Sequence, residues 1–193
     1  MTKSGKLILI LWSSWVWKWT LISLLRKREQ DFFFPISCTT RDPREWEFDW
    51  WTYYFLSKEE FEDKIKNWEM LEYALVHWKA YYWLMKGPIL DAINEWKTVI
   101  REIDVQGFDS ICKILNEKIF WSIFIDVPKK IELLKERIRN RAPIAESELN
   151  ARMDSIKKES LYKFKTDFVI TNIEDWVEEM YDDLLEKIEE LTK

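Results

Sequence analysis

Apolar and polar residues alternate along the chain in a pattern that predicts strands and helices in turn. Leu7 to Leu11 is a continuous β-type apolar run that suits a central parallel strand, and residues 18–29 have the composition of a helix. The later predicted elements are a helical stretch from residue 88, strands at 98–104 and 119–125, a helix at 128–141, a strand at 167–172 and an amphipathic helix at 174–191. This alternation predicts an α/β fold with an open parallel sheet and helices on both faces.

Residues 35–86 differ in composition and pattern from the alternating segments on either side. They are rich in aromatic side chains, short β-like runs and turn signals, and they contain one helix that Ser57 and Glu60 open as a capping box. This stretch therefore predicts a small subdomain inserted into the alternating core.

The opening segment allows two interpretations. Residues 7–25 contain one charged residue, Lys18, and are followed by the basic run 26–28, so hydropathy alone predicts a membrane span. Against a span, a charge at its centre costs about 3 kcal/mol. The segment also lacks the small-residue cleavage site of a signal peptide. A membrane anchor stays open as an alternative at this point.

The spacing around Lys18 favours a phosphate-binding loop. With Gly in place of Trp12, Trp15 and Trp17, the segment becomes a strand, G-S-S-G-V-G-K, one further residue, Thr20 and a helix, which is the P-loop pattern. Such a loop needs glycine for its backbone angles and for close approach to phosphate oxygens, so literal tryptophans cannot do this work. The candidate loop consists of Trp12, Ser13, Ser14, Trp15, Val16, Trp17, Lys18, Trp19 and Thr20.

Composition gives an independent reason to question the tryptophans. The chain has 3 Gly and 13 Trp, whereas an average glycine usage of about 7% gives roughly 13 to 14 residues in a chain this long. Several tryptophans also stand where turn chemistry favours glycine, as in Asp49-Trp50 and Asn67-Trp68. The glycine deficit is therefore about the size of the tryptophan excess.

Charge and cysteine content narrow the class of partner. The net charge of −5 argues against binding of nucleic acid through bulk charge, although local arginine clusters can bind a small phosphate. Cys38 and Cys112 give neither a disulfide framework nor metal-ligand spacing, which fits a reducing cytosol. The single His77 offers neither a catalytic triad nor a multi-histidine metal site.

Two further sets of polar residues are placed to bind a ligand. Arg41 and Arg44 lie three residues apart around a proline, and such a pair can form a compact fork for a phosphate group. The alternative, two solvated surface arginines, stays open on spacing alone. Glu102 and Asp104 lie at the end of a predicted strand, where a carboxylate faces the ligand crevice of a parallel sheet.

Together with the loop, six ordered runs resemble the guanylate kinase family over nearly the whole chain. The runs are Ser37-Cys-Thr-Thr-Arg-Asp-Pro-Arg44, Asp49-Trp-Trp-Thr-Tyr53-Tyr-Phe55, Glu69-Met-Leu-Glu72-Tyr-Ala-Leu-Val-His77, Tyr81-Tyr82-Trp83, Glu102-Ile-Asp-Val-Gln-Gly107 and Arg137-Ile-Arg-Asn-Arg141. The resemblance implies a P-loop kinase core at 1–34, 87–128 and 153–193, with a parallel sheet flanked by helices. It also implies an inserted GMP-binding subdomain at 35–86 and a lid at 129–152.

Against the family pattern, ten of the 13 tryptophans stand at glycine positions. They are Trp12, Trp15, Trp17, Trp19, Trp46, Trp50, Trp68, Trp78, Trp83 and Trp96. We hypothesise that these positions are encoded by UGA and carry glycine in the native protein, because genetic codes differ in whether they read this codon as glycine or tryptophan. Trp51, Trp121 and Trp176 have no clear glycine counterpart and can be either residue.

The resemblance implies the reaction ATP + GMP to ADP + GDP in purine nucleotide metabolism, in the cytoplasm, with ATP and GMP as the partners and neither nucleic acid nor membrane. Phosphoryl transfer needs positioning and charge neutralisation more than covalent chemistry. The implied catalytic residues are Lys18, which holds the ATP phosphates, and the lid residues Arg137, Arg141 and Arg152. Mg²⁺ is the implied cofactor, near Trp19 and Thr20, with no direct protein ligand assigned.

The resemblance also implies a set of GMP-binding residues. They are Ser37, Arg41, Arg44, Tyr53, Glu72, Tyr82 and Asp104. Glu72 can accept hydrogen bonds from guanine N1–H and from the 2-amino group, which adenine cannot supply in the same way. The arginines and tyrosines are expected to bind the GMP phosphate.

Three departures from the family pattern affect details of this prediction. Leu84 stands where the family usually has a hydroxyl near the base, position 19 lacks the hydroxyl that often reaches Mg²⁺, and Ala142 stands where the lid often has glycine. If the tryptophans are real, the alternative function is a catalytically inactive binding module of the same fold.

Overall fold

The computed structural model describes residues 5–12, 18–45, 47, 53–76, 80–126, 131–141, 144–171 and 177–193, with the backbone alone at 18, 19, 73–76, 80, 131–133, 137 and 141. The elements in chain order are β1 (Lys6–Trp12), α1 (Lys18–Arg28), β2 (Cys38–Thr39), β3 (Tyr54–Phe55), α2 (Lys58–Lys66), β4 (Met70–Val76), β5 (Ala80–Met85), α3 (Lys86–Asn94), β6 (Thr98–Glu102), α4 (Val105–Ile114), β7 (Phe120–Asp126), α5 (Ile131–Arg141), α6 (Glu146–Ser160), a 3₁₀ helix (Leu161–Phe164), β8 (Phe168–Thr171) and α7 (Val177–Thr192). The chain divides into two compact units: residues 1–7 with 31–120 form the first unit, and residues 8–30 with 121–193 form the second.

The predicted alternation of strands and helices is confirmed. The fold is α/β, with a parallel sheet flanked by helices. Within the segment 7–25, residues 7–12 lie in strand β1 and residues 18–25 lie in helix α1. Over the described residues, none of the helices combines the length and the apolar character that a membrane crossing requires.

Among the described residues, two boundaries differ from the predicted ones by more than one residue. Helix α3 begins at Lys86 rather than at Pro88, because proline is tolerated within the first turn, where the missing N–H would have no partner in the helix. Strand β6 ends at Glu102, because Asp104 already caps α4: its Oδ1 accepts a hydrogen bond from the Gly107 N–H at 2.7 Å. Helices α4 and α6 were not predicted. The predicted helix starts at 128 and 174 lie outside the described residues.

The first unit contains a four-stranded sheet in the order β3-β2-β5-β4. Strand β5 pairs in antiparallel fashion with both β2 and β4, and β2 pairs in parallel with β3. Its core consists of Cys38, Phe61, Met70 and Trp83, with the Phe61 ring stacked on Tyr81 at a centroid distance of 4.3 Å. The aromatic content of 35–86 thus builds a small separate core under the sheet.

Helix α2 has capping at both ends that follows from local sequence. The Ser57 and Glu60 side chains each bond the other residue's backbone N–H, which confirms the predicted capping box. At the other end, the N–H of Glu69 bonds the carbonyl of Lys64 and the N–H of Trp68 bonds that of Ile65. This pair of bonds is the Schellman motif, whose closing residue adopts the left-handed conformation that favours glycine.

Helix α3 ends in the same way. The N–H of Lys97 bonds the carbonyl of Ala92, and the N–H of Trp96 bonds that of Ile93. Trp68 and Trp96 accordingly have φ angles of 56° and 67°, and both indoles are exposed. Two helices therefore end in a turn that glycine forms without strain, with tryptophan at the position in question.

Gly5 is a glycine that the packing does require. A Cβ atom at this position would lie 2.3 Å from the Ile93 carbonyl oxygen and 2.8 Å from that of Lys97. Both contacts are with backbone, which cannot move aside as a flexible side chain can. Gly5 therefore lets the chain pass close to the end of α3 just before β1, at a position where no side chain fits.

The second unit contains strands β1, β7 and β8, which are neighbours in that order. Strands β7 and β8 pair in parallel, from Ile123 with Phe168 to Asp126 with Thr171. The buried Ser122 fixes their start, because its hydroxyl donates to Asp167 Oδ2 at 2.6 Å and accepts from the Asp167 N–H at 3.0 Å. Burial of Ile8 to Leu11 confirms the prediction that the first apolar run is a central strand.

Helices complete the second unit in two groups. Helix α1 packs against α7, and Arg28 forms a bidentate ion pair with Glu178 at 2.7 and 3.0 Å. Helices α5 and α6 bury Ile138 against Leu149, Met153 and Ile156 in a separate cluster. The stretch predicted as a lid thus includes a helix pair with its own apolar contacts, and the predicted domain boundaries stay a prediction.

Candidate functional site

Arg41 lies at the centre of a polar cluster in the first unit. Its Nε donates to Tyr82 Oη at 3.0 Å, and its Nη1 donates to the Asp42 carbonyl at 2.6 Å. Nη1 and Nη2 each donate to one carboxylate oxygen of Glu47 at 2.8 Å. The guanidinium is therefore held in one orientation by contacts that use four of its five N–H groups.

Glu47 is the residue of this cluster that sequence reasoning missed. It is buried, accepts the Arg44 N–H at 2.9 Å, and donates its own N–H to the Arg44 carbonyl at 2.9 Å. The Arg41 hydrogen bonds lower the pKa of Glu47 and, in return, raise the pKa of Arg41. The sequence signal that could have indicated Glu47 is an acidic residue three positions after Arg44. At this spacing its carboxylate can accept hydrogen bonds from the turn that carries both arginines.

Aromatic rings enclose the other side of Arg41. The guanidinium lies 5.6 Å from the ring centre of Tyr53 and 5.7 Å from that of Phe55. Tyr53 meets Tyr82 edge to face with a centroid distance of 5.8 Å, and burial raises the pKa of Tyr53, so its hydroxyl stays protonated. Two phenol-bearing rings thus lie beside one fixed cation.

The strand pairing of 38–41 positions this cluster. Thr39 is fully buried, and its hydroxyl donates to the Tyr81 carbonyl at 2.9 Å and accepts the Arg41 N–H at 3.2 Å. Because Thr39 pairs with Tyr82 across β2 and β5, Arg41 emerges beside the Tyr82 hydroxyl. The structure therefore brings together the predicted residues Arg41, Tyr53 and Tyr82, with Arg44 exposed on the same loop.

Glu72 forms a second polar site in the first unit. Glu72 lies on β4 and is 8% exposed over the whole residue, and its Cα pairs with that of Leu84 on β5. Leu84 is fully buried, so the strand position opposite Glu72 supplies no hydroxyl. The nearest described cation is Arg101 on β6, whose Nη2 lies 3.9 Å from Glu72 Oε1.

The environment of Glu72 disfavours its charge. The pKa of Glu72 is raised to about 7: burial raises it most, the charge of Arg101 lowers it, and the charge of Asp104 raises it. The predicted pair Glu72 and Asp104 is thus close enough to interact electrostatically, although one Asp104 oxygen is engaged in capping α4. Among the described residues no hydrogen bond joins Ser37 to Glu72; Ser37 instead accepts the Tyr54 N–H at 2.9 Å through its carbonyl.

The predicted phosphate loop is described only at its two ends. Trp12 is the last residue of β1 and Lys18 the first of α1, which confirms the strand and the helix on either side; residues 13–17 lie outside the described residues. Trp12 is buried, and its indole N–H finds no partner among the described residues. Thr20 is exposed on the first turn of α1.

The predicted lid arginines fall on two helices of the second unit. Arg137 and Arg141 lie on α5, and only the backbone of these two residues is described. Arg152 lies on α6. Arg152 Nη2 donates to Glu148 at 2.6 Å, one helical turn away. In the part of the chain that is described, no group of three or more His, Cys, Asp or Glu side chains could hold a metal ion.

Several of the family glycine positions also lie outside the described residues, namely 15, 17, 46, 50 and 78. Trp83 is fully buried in the core of the first unit, and its indole N–H has no partner among the described residues. The indole N–H of Trp121 likewise has no described partner. A buried donor without a partner costs roughly 1 to 3 kcal/mol.

Known proteins resemble this chain over most of its length. The profile of a family described as "Guanylate kinase" matches residues 4–191. The guanylate kinase of Clostridium tetani is 40% identical over 170 residues, which cover 88% of this chain and 79% of that protein. That of Rickettsia felis is 37% identical over 190 residues, which cover 98% and 94%. The crystal structure of guanylate kinase from Anaplasma phagocytophilum has the same fold, with a TM-score of 0.74 and 23% identity over 100% of this chain and 88% of that one.

Proposed function

The chain belongs to the guanylate kinase family, and from this premise we propose that it transfers the γ-phosphoryl group of ATP to GMP, giving ADP and GDP. In this reaction a phosphate oxygen of GMP attacks the γ-phosphorus of ATP. A new P–O bond forms, the bond to the β–γ bridging oxygen breaks, and ADP leaves with the electron pair. The protein's task is to position both nucleotides and to neutralise their charge.

The observation that carries this proposal is the fixed Arg41 cluster. Glu47 and Tyr82 hold the guanidinium in place before any ligand arrives, so little side-chain entropy is lost on binding. Because Glu47 balances the charge of Arg41, Arg44 supplies the additional positive charge that a phosphate needs. The Tyr53 and Tyr82 hydroxyls supply neutral donors. A phosphate monoester is the ligand chemistry that matches this set.

Guanine is the base that matches Glu72. An ionised carboxylate accepts two hydrogen bonds, and guanine presents N1–H and the 2-amino group side by side, whereas adenine presents an acceptor at N1. Ser37 and Asp104 complete the proposed GMP-binding set with Arg41, Arg44, Tyr53, Glu72 and Tyr82. We place this set in a GMP-binding subdomain at 35–86 and the P-loop core at 1–34, 87–128 and 153–193.

ATP is bound, in this proposal, by the loop 12–20 with glycine at 12, 15, 17 and 19. The N–H groups at the start of α1 and the charge of Lys18 then bind the phosphates. Arg137, Arg141 and Arg152 of a lid at 129–152 neutralise the charge that develops on the transferred group.

We further propose a divalent metal, specifically Mg²⁺, as the companion of ATP. Mg²⁺ takes most of its ligands from phosphates and water, so the absence of a carboxylate cluster among the described residues fits it, and the exposed Thr20 hydroxyl on the first turn of α1 fits a single protein contact. When bound, the ion screens the phosphate charges and thereby makes the γ-phosphorus more electrophilic.

The test compares two versions of the full chain. One has the sequence as it stands, and the other has glycine at positions 12, 15, 17, 19, 46, 50, 68, 78, 83 and 96. ADP formation is measured with GMP, with AMP as the control acceptor, and with a Lys18→Met variant as the catalytic control. We expect GMP-dependent activity from the glycine version alone. Equal activity in both would refute the steric argument, and GMP binding without activity in both would favour the inactive binding module.

A further inference from the structure

Arg101 is a partly buried cation that the proposed function leaves without a role. We propose that Arg101 is a positioning residue for guanine recognition: its charge favours the anionic form of Glu72, which can accept two hydrogen bonds from the base. This inference rests on the proposed function, since it requires that Glu72 binds guanine.

The geometry places Arg101 where its charge acts on Glu72. Arg101 lies on β6 and Glu72 on β4, and the side chains are 17% and 9% exposed. At 3.9 Å, the contact from Nη2 to Oε1 is longer than a hydrogen bond, so it acts through charge and leaves the carboxylate oxygens available to a ligand. Charges this well buried are screened far less than surface pairs.

Arg101 is also incompletely satisfied. Its Nε is buried and has no hydrogen-bond partner among the described residues. A buried donor without a partner costs free energy that a core residue would not ordinarily retain. An apolar residue of similar length would fill the same space on β6 without this cost, so the guanidinium at this place indicates a use for its charge.

The other groups around Glu72 do not supply that charge. Leu84 faces it from β5 and Asp104 adds a second negative charge after β6. Tyr82, two residues from Leu84 along β5, is a neutral phenol. Lys113 on α4 lines the same cavity of about 560 Å³ as Glu72, but it is exposed and its charge is hydrated. Among the described residues, Arg101 is thus the partly buried cation whose charge opposes the effects of burial and of Asp104 on the pKa of Glu72.

Protonation would remove the discrimination that Glu72 provides. A carboxylic acid donates through one oxygen and accepts well through the other, so it cannot satisfy both guanine donors at once. The pKa of Glu72 is already about 7 with Arg101 present, since burial raises it, so loss of the cation would leave Glu72 largely protonated at neutral pH. The effect should be largest for GMP, which offers two donors, and smaller for IMP, which offers only N1–H.

The experiment measures nucleotide affinity by calorimetry across pH 6.5 to 8.5. It uses the full chain in its proposed native form, with glycine at the ten positions, as the parent. Arg101→Met removes the charge and keeps an unbranched stem, Arg101→Lys keeps the charge, and Lys97→Met removes an exposed cation four residues away as the matched control. GMP and IMP are the probes, and because every variant sees the same ligand, titration of the ligand itself cancels in the ratio to the parent.

We expect a loss of GMP affinity that depends on pH. If the pKa of Glu72 rises by about one unit, Arg101→Met binds GMP about eightfold more weakly than the parent at pH 6.5 and no more than about twofold more weakly at pH 8.5. IMP affinity should fall less than GMP affinity at the lower pH. Arg101→Lys and Lys97→Met should keep the pH profile of the parent.

Each other outcome contradicts the inference. A loss of GMP affinity that is equal at every pH would show that Arg101 serves packing alone. An unchanged GMP affinity would show that the charge of Arg101 does not affect binding of the base. If Arg101→Met does not fold, Arg101→Gln replaces it, with the same expected profile. A parent that binds no GMP at any pH contradicts the proposed function and this inference together, whereas a parent that binds GMP while the neutral variant keeps its pH profile contradicts this inference alone.

Discussion

The proposed GMP site and the proposed ATP loop differ in how they would bind phosphate. Around Arg41, the ligand meets side chains, which Glu47, Tyr53 and Tyr82 hold in place. In the proposed loop 12–20, backbone N–H groups would bind the phosphates. The glycine positions of this loop contribute by having no side chain in the way. Exchange of glycine for tryptophan therefore affects the two regions unequally.

This difference explains why the chain is recognisable despite its tryptophans. A site made of side chains keeps its chemistry when glycines elsewhere change, and the ordered runs around Arg41, Glu72 and Asp104 remain intact. A site made of backbone loses its function when glycine is replaced, although the strand before it and the helix after it still form. A real loss of function would be expected to erode both regions alike.

The largest expected effect comes from restoring tryptophan to the loop alone. In the glycine version, the combined changes Gly→Trp at 12, 15 and 17 should lower ADP formation at least about a thousandfold, because the indoles would take the space that phosphate oxygens need beside the backbone N–H groups. GMP affinity should stay within about twofold, since the first site is made of side chains.

The same exchange at position 96 is the matched control. It lies at an exposed helix end, so activity should be unchanged while stability falls. Retained activity in the triple variant would show that the loop does not bind ATP through its backbone.

The second effect concerns the pair that fixes Arg41. Glu47→Gln removes the charge and one of the two acceptors, so we expect GMP affinity to fall by about 2 to 3 kcal/mol. Glu178→Gln is the matched control, because Glu178 makes the same bidentate contact with Arg28 on an exposed surface. Calorimetry with GMP checks both. Equal effects of the two changes would refute the idea that Glu47 positions a binding residue.

A smaller effect is expected at the base. Glu72→Gln replaces one carboxylate oxygen by an amide donor, which opposes a guanine N–H, so GMP use should weaken by roughly 1 to 3 kcal/mol while the fold survives. The value of kcat/KM for GMP gives the measurement, with circular dichroism as the check on folding. Unchanged kinetics with GMP would show that the guanine pocket lies elsewhere.

The smallest effect is on stability at the two helix ends. In the chain as it stands, Trp68→Gly should be more stable than Trp68→Ala by about 1 kcal/mol, since both remove the indole but only glycine relieves the left-handed strain. The same difference is expected at position 96. Urea unfolding measures it, and an alanine variant at least as stable as the glycine variant would contradict the glycine assignment there.

The sequence predicted the order of the elements because periodicity is local, and it located the capping box of α2 because both partners lie within one turn. The partnership of Arg41 with Glu47 depends on a turn that no periodicity describes. The approach of Arg101 to Glu72 joins strands separated by two other elements, and nothing in either segment alone predicts it. At Trp68 the sequence predicted only that glycine was expected. It did not predict the left-handed φ, because the Schellman bonds are made by backbone atoms.

Peptide mass spectrometry of the protein purified from its native source tests the central claim most directly. Peptides that span positions 12, 15 and 17, and those that span 68 and 96, identify the residue at each site by mass. We predict glycine at all five, and at the other five family positions as well. Tryptophan masses at these sites would contradict the account, and with it the proposed catalytic activity.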